Sequence, residues 1–179
     1  MLESRLSKPS WQALYDIASA QDGLFTTRQA ASVGYSPPLL AHHEHAGRIA
    51  RIRRGIYRLI HYPLSEHEEL VVAWLWSERA GVISHQTALF LHELSDVLPA
   101  QVHITLPAPW RKRRFRVPKG YVLHFAEVLS QEKSWVDAVP VTKPARTLND
   151  CAAAGISPDL LRQASKQASA RGLLSEVEI

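Results

Sequence analysis

Trp11, Leu14, Tyr15 and Ala18 recur at the three-and-four spacing of a helix, directly after Pro9 and Ser10. Ser10 or Pro9 starts this helix: serine can cap orphan amides, and proline has no N–H to leave unpaired. Gly23 ends the unit. Thr26 and Thr27 can each cap a short helix carrying Ala30, Ala31 and Val33, which Gly34 stops. Ser36 caps a third helix with Pro37 at its first position. It runs through Leu39, Leu40 and His43 to Ala46, and Gly47 is its stop. From Arg48 the period changes to two. Around Ile52 it places Arg51 and Arg53 on one strand face and Ala50 and Ile52 on the other. Arg54-Gly55 makes a tight hairpin turn, because glycine tolerates positive φ, and Ile56–Leu59 is the return strand.

His61 to Leu64 is a connector. Ser65-Glu66-His67-Glu68 has the form of a capping box opening a helix with Leu70, Val71, Trp74 and Leu75 as its apolar stripe, broken by Gly81. Val82-Ile83 is a short strand, and Ser84 caps a helix through Ala88, Leu89, Leu91 and Leu94. Residues 102–106, 115–117 and 121–125 are expected as strands, with Pro107-Ala108-Pro109 irregular and Arg111 to Arg114 in an exposed loop or strand tip. Val139-Pro140-Val141 is an edge-like strand. Two helices close the chain, one starting at Thr142 or Lys143 with Pro144 and running to near Gly155, the other starting at Ser157-Pro158 and ending at Gly172. The pattern predicts an α+β fold: a winged helix-turn-helix over residues 1–62, then a compact mixed α/β domain over 63–179 with a small sheet and flanking helices.

Composition narrows the class. Of 179 residues, 46% are hydrophobic and 21% charged, as in an ordinary globular chain, so global disorder is excluded. No apolar run approaches the length of a membrane span, and the first eleven residues lack the apolar core of a signal peptide, so a soluble, cytoplasmic protein is expected. The single Cys151 excludes an internal disulfide and a cysteine-based zinc cluster. The net charge is +4, and all of it lies up to Ser65, where eight basic residues, including Arg5, meet four acidic ones, including Glu3. Beyond that point 13 basic residues balance 13 acidic ones. Five of the eight, Arg48, Arg51, Arg53, Arg54 and Arg58, fall within the hairpin segment, the footprint of a polyanion partner or else a solvated basic face.

Three helices followed by a basic hairpin is the order of a DNA reader. The helix from Pro37 to Ala46 is about 15 Å long, a fit for the major groove. Its N-terminal amides favour phosphate. Ser36, His42, His43 and His45 are expected to be exposed on it and available to phosphates or base edges. Arg51, Arg53, Arg54 and Arg58 are expected along the backbone or in the minor groove. With Thr27, Arg28 and Arg48 they complete the expected DNA-binding set. About five neutralised phosphates would give a log K against log salt slope of about −4 to −5.

Specific stretches resemble the AbiEi-type antitoxins of abortive-infection (type IV) toxin–antitoxin systems. In the first domain these are residues 23–31, Gly34-Tyr35-Ser36, Leu39-Leu40, Ala46-Gly47-Arg48-Ile49 and, most distinctively, Arg53-Arg54-Gly55-Ile56-Tyr57. In the second they are residues 83–89, His92-Glu93-Leu94, 102–107, Pro140-Val141-Thr142 and Pro144-Ala145-Arg146-Thr147-Leu148-Asn149-Asp150. The resemblance implies a winged-helix domain that binds inverted repeats upstream of its own operon and represses it. It also implies a C-terminal domain that counters a nucleotidyltransferase-like toxin without requiring a stable complex. The chain stops soon after residue 171 where longer members continue, and so resembles a short form. Inverted repeats would suit two protomers paired on DNA.

Other candidates have plainer explanations. His85 and His92, seven apart, could with Ser84 and Asp96 suggest a hydrolase or metal site, but zinc would want a further ligand that the spacing does not supply. Arg146 can reach Asp150 at i+4 as an ion pair. Cys151, Trp74, Trp76 and Trp135 are expected in the core or at a domain interface, and Trp110 as a loop anchor. Arg111, Lys112, Arg113 and Arg114, with Arg116 and Lys119 nearby, form a second basic cluster, either a solvated loop or a second nucleic-acid contact. Glu132-Lys133 lacks nuclease spacing, and no phosphate loop, dinucleotide fingerprint or nucleophile elbow occurs. No enzyme, cofactor or metal is expected. The alternative function is a winged-helix transcriptional regulator whose C-terminal domain senses a ligand or protein, with no toxin partner.

Overall fold

The computed structural model describes residues 8–96 and 98–174. Glu3 and Arg5, counted in the charge balance, lie outside the described residues. The architecture is α+β: a helical region with a small sheet that resembles a winged helix-turn-helix, then a larger mixed sheet with helices. The chain divides into two compact units, Met1–Trp76 and Ser77–Ile179.

In the first unit, α1 (Trp11–Ser19) starts where the Ser10 hydroxyl accepts from the Ala13 amide. Strand β1 (Leu24–Thr26) leads into α2 (Thr27–Ser32), opened by a reciprocal box in which Thr26 caps the Gln29 amide and the Gln29 side chain accepts from the Thr26 amide. Ser36 caps α3 (Pro37–His45), accepting from the Leu39 amide, with Pro37 inside the first turn. Strands β2 (Ile49–Arg53) and β3 (Ile56–Leu59) form the wing, and β3 pairs antiparallel with both β1 and β2. One sheet face, with Phe25, Ile49 and Leu59, meets Leu14, Ala18, Ala30, Tyr35 and Leu40 in the core. The other carries Leu24, Ile56 and Arg58.

Helix α4 (Glu68–Trp76), expected in the second domain, packs against β1 and β3, which places it in the first unit. Its start departs from the expected capping box: the Ser65 hydroxyl accepts from His67, and the first helical turn closes on the His67 carbonyl. All of Leu70 to Leu75 is buried, so the helix has no single stripe.

The second unit holds a five-stranded sheet in the order β6-β5-β4-β8-β7, built from β4 (Val82–Ile83), β5 (Val102–Leu106), β6 (Tyr121–Phe125), β7 (Lys133–Val136) and β8 (Val139–Thr142). Pairs β5–β6 and β4–β8 are parallel; the others are antiparallel. Helix α5 (His85–Leu91) follows β4, while α6 (Pro144–Ala153) and α7 (Pro158–Ala170) follow β8. Leu89, Leu94, Leu148, Cys151, Ala164 and Ala168 join the three helices in one core.

Several expectations change. The strand expected over 115–117 is absent: residues 113–118 have no regular structure, and Pro118 ends the segment. Ala108–Lys112 is a short 3-10 helix, with Pro109 tolerated in its first turn, not irregular chain. The Val139 strand is interior, because β7, unforeseen, covers its outer side. Trp135 alternates outward on that edge strand and is exposed, not core. Ser84 precedes α5, but its hydroxyl makes no capping bond.

Candidate nucleic-acid interface

Helix α3, the wing, the start of α2 and the α3–β2 connection carry the residues expected to touch DNA, and the structure sorts them. Arg28 on α2, His42 and His45 on α3, Arg48 after it, and Arg51 and Arg54 on the wing are exposed. The Thr27 amide donates to the Gly55 carbonyl at 3.0 Å, so the start of α2, with Arg28, abuts the wing turn. Gly55 has φ +79°, the conformation the turn demands. The Ser36 hydroxyl is engaged as the α3 cap.

Three side chains lie elsewhere than expected. His43 is buried: its ring stacks on Trp11 at 5.4 Å and lies 5.5 Å from Tyr35. Burial and the Arg48 charge hold its imidazole below the ordinary pKa, so it packs as an aromatic wedge between α1 and α3. Leu39, Leu40 and His43 share the inward stripe of α3, which leaves Pro38, Ala41, His42 and His45 outward. Arg58 pairs with Glu68 at 3.1 Å, its side chain 18% exposed. It stands between Leu24 and Ala50 in the ladder, on the sheet face opposite the helical core, and α4 brings Glu68 to it. Arg51 and Arg53 do not share a face. A register shift between them sets Arg51 opposite Tyr57 and Arg53 opposite Ile56, neighbours that point to opposite sides. Ile52, the extra residue, is 39% exposed.

The second basic cluster is tethered. Arg111 lies 5.8 Å from the Phe125 ring centre, and Arg113 lies 3.9 Å over Trp110 while pairing with Glu78 at 3.2 Å. Trp110 meets Phe115 edge to face and so anchors the segment. Lys112 and Arg114 are exposed.

Arg146 bridges Asp150 at 2.8 Å and Glu132 at 2.7 Å, clamping α6 to the turn before β7. The Glu132 carboxyl is held below its usual range by the Leu129 amide and by Arg146. His92 donates from Nε2 to the Thr142 carbonyl at 2.7 Å, a structural role. Cys151 is buried.

Sequence patterning missed one constellation. His85 stacks on His124 at 3.4 Å and 12°, and His124 Nε2 lies 3.1 Å from His103 Nδ1. Thr105 Oγ1 donates to Ser84 Oγ at 2.7 Å, and Ser84 Oγ lies 2.9 Å from His85 Nδ1. Burial lowers all three imidazole pKa values, that of His85 to about 3, with the neighbouring rings adding to the effect there. The constellation's traces in the sequence are Ser84-His85, named above beside His92 and Asp96, and His103-x-Thr105, which puts both side chains on one strand face. Among the described residues no group of three or more His, Cys, Asp or Glu could hold a metal ion.

Residues 12–60 match the model of a family described as "Transcriptional regulator, AbiEi antitoxin". No curated protein matches the chain significantly. The crystal structure of the RV2827C protein from Mycobacterium tuberculosis is similar with a TM-score of 0.51 and 14% identity, over 91% of this chain and 73% of that one. That likeness is one of fold.

Proposed function

We propose that the chain is a DNA-binding transcriptional regulator and antitoxin of the AbiEi type, acting by binding and not by catalysis. The observation that carries this is the coincidence of the family match, residues 12–60, with the segment that builds α3 and the arginine wing. Helix α3, about 14 Å long by its nine residues, suits the major groove. Its outward His42 and His45 are the candidates for base contact. Arg28, Arg48, Arg51 and Arg54 supply charge for phosphates, Arg53 lies beside them, and phosphate contacts set register and affinity. Ser36 and Thr27 act through backbone geometry, by capping α3 and bracing the wing turn. His43 and Arg58 support the module from within.

In the finer proposal the target is an inverted repeat upstream of its own operon, bound by two protomers, with repression as the outcome. The second unit, Ser77–Ile179, counters a nucleotidyltransferase-like toxin without a stable complex, and Arg111, Lys112, Arg113 and Arg114 offer it a second polyanion contact.

Gel shift of the full chain on its own upstream DNA tests the proposal. Binding that weakens with salt is expected. Arg53→Ala with Arg54→Ala should weaken binding to every sequence, while His42→Ala should change sequence preference. Equal binding by wild type and the double variant contradicts the wing assignment. A plain regulator without a toxin partner is the second reading, favoured by the family match ending at residue 60. Rescue of cells from a neighbouring toxin gene separates the two.

A further inference from the structure

Between the sheet of the second unit and α6 lies a cavity of about 350 Å³, lined among others by His85, Thr105, Arg111, His124, Phe125 and Asp150. That volume lies in the range of small-molecule sites. It sits where the parallel edge pair β5 and β6 reaches its C-terminal ends, at Thr105, His124 and Phe125.

The lining is chemically divided. At one wall Arg111 lies over the Phe125 ring and pairs with no carboxylate among the described residues. At another, Asp150 spends Oδ1 on Arg146, while its Oδ2 is buried without a hydrogen-bond partner. A buried carboxylate oxygen lacking a donor is costly, so a missing donor is the natural complement. The wall also carries flat π surfaces, with the His85 and His124 rings nearly parallel at 3.4 Å. His85 is held at φ +52°, a left-handed conformation unfavourable for a residue with a Cβ. Such strain concentrates where a side chain must be aimed.

We propose that this cavity binds a nucleoside 5′-monophosphate. Its planar base stacks on the open face of the His85–His124 pair and donates an N–H to Asp150 Oδ2, and its phosphate pairs with Arg111 beside Phe125. The site is independent of the assignment of α3 and the wing, since every residue it uses lies in the second unit; it shares only Arg111 with the second basic cluster.

Calorimetric titration of the full chain with AMP, GMP, CMP and UMP tests it, with inorganic phosphate and the parent nucleosides as separate arms. At least one nucleotide should bind with one-to-one stoichiometry, and its nucleoside and phosphate alone should each bind at least about tenfold more weakly. Arg111→Ala and Asp150→Asn should each cost about tenfold or more. Ala153→Phe, an exposed position on the cavity rim, should abolish binding and leave the melting temperature unchanged. Arg51→Ala with Arg54→Ala should leave binding intact. The proposal is overturned if no nucleotide binds at millimolar concentration, if phosphate alone binds as well, or if the folded Ala153→Phe chain binds as wild type does.

Discussion

Acid should weaken the second unit through His85. In the folded chain its pKa falls from the ordinary 6.5 to about 3, because burial and the neighbouring His124 and His103 rings oppose its charge. The unfolded chain therefore binds a proton that the folded chain refuses. The stability from keeping this ring neutral is fully present above about pH 6.5 and declines as the pH falls toward about 3. Each pH unit in that window costs about 1.4 kcal/mol per such histidine, so a change from pH 6.5 to 5 removes about 2 kcal/mol through His85 alone. His92, His103 and His124 are shifted the same way and add to the loss. Against a typical stability of about 5–15 kcal/mol this is a large fraction. Urea unfolding followed by tryptophan fluorescence at pH 7.5, 6.5 and 5 measures it. His85→Asn, which tolerates the left-handed backbone and keeps a polar group near Ser84, should flatten the slope over that range. A midpoint that holds steady or rises toward pH 5, or a slope identical in the variant, refutes the reasoning.

Two further outcomes probe packing. A Cβ at Gly23 would stand 2.6 Å from the Tyr62 ring, at a backbone φ of +80°, and Tyr62 is tied by its hydroxyl to the Ser19 carbonyl at 3.2 Å. Gly23→Ala should cost about 2–4 kcal/mol from conformational strain plus overpacking, read as a lowered urea midpoint; a loss below 0.5 kcal/mol would contradict the contact. The Cys151 thiol, pushed up to about 12 by burial and the Asp150 charge, should resist an aromatic disulfide reagent at pH 8 and react fully in denaturant. Prompt reaction of the folded chain would show that it is not enclosed.

Local signals were the legible part of the fold. Serine, threonine and proline at helix starts, glycine after helix ends, and two-residue alternation in Val102–Leu106 and Tyr121–Phe125 each act within a few residues, and those elements lie close to where the pattern put them. Two local signals failed, the Ser65 box and the Ser84 cap, whose hydroxyls do not cap as the pattern predicts; the other failures were tertiary. β7 is a short strand with a polar start and an outward Trp135, so only its pairing with Val139–Thr142 makes it a strand. Arg51 and Arg53 alternate as if on one strand face and Arg58 reads as a further contact on the return strand, but the register shift and the position of Glu68 are set by the ladder and by α4. His43 has the polarity of a contact residue and the helical phase of Leu39 and Leu40, and the phase prevailed. The imidazole cluster draws on α5, β5 and β6, residues 85, 103 and 124, and no spacing rule spans such distances.

The proposed DNA binding depends on the exposed wing arginines meeting duplex phosphates while Arg58 stays internal. Fluorescence anisotropy of a labelled upstream duplex, titrated with the full chain at several salt concentrations, measures that directly. Wild type should give a slope of about −4 to −5, and Arg51→Ala with Arg54→Ala should bring it about 1.8 closer to zero, the share of two phosphates. Arg58→Ala should lower thermal stability and leave the slope where it was. A wild-type affinity insensitive to salt, or a slope that moves with Arg58 and not with Arg51 and Arg54, would contradict the claim.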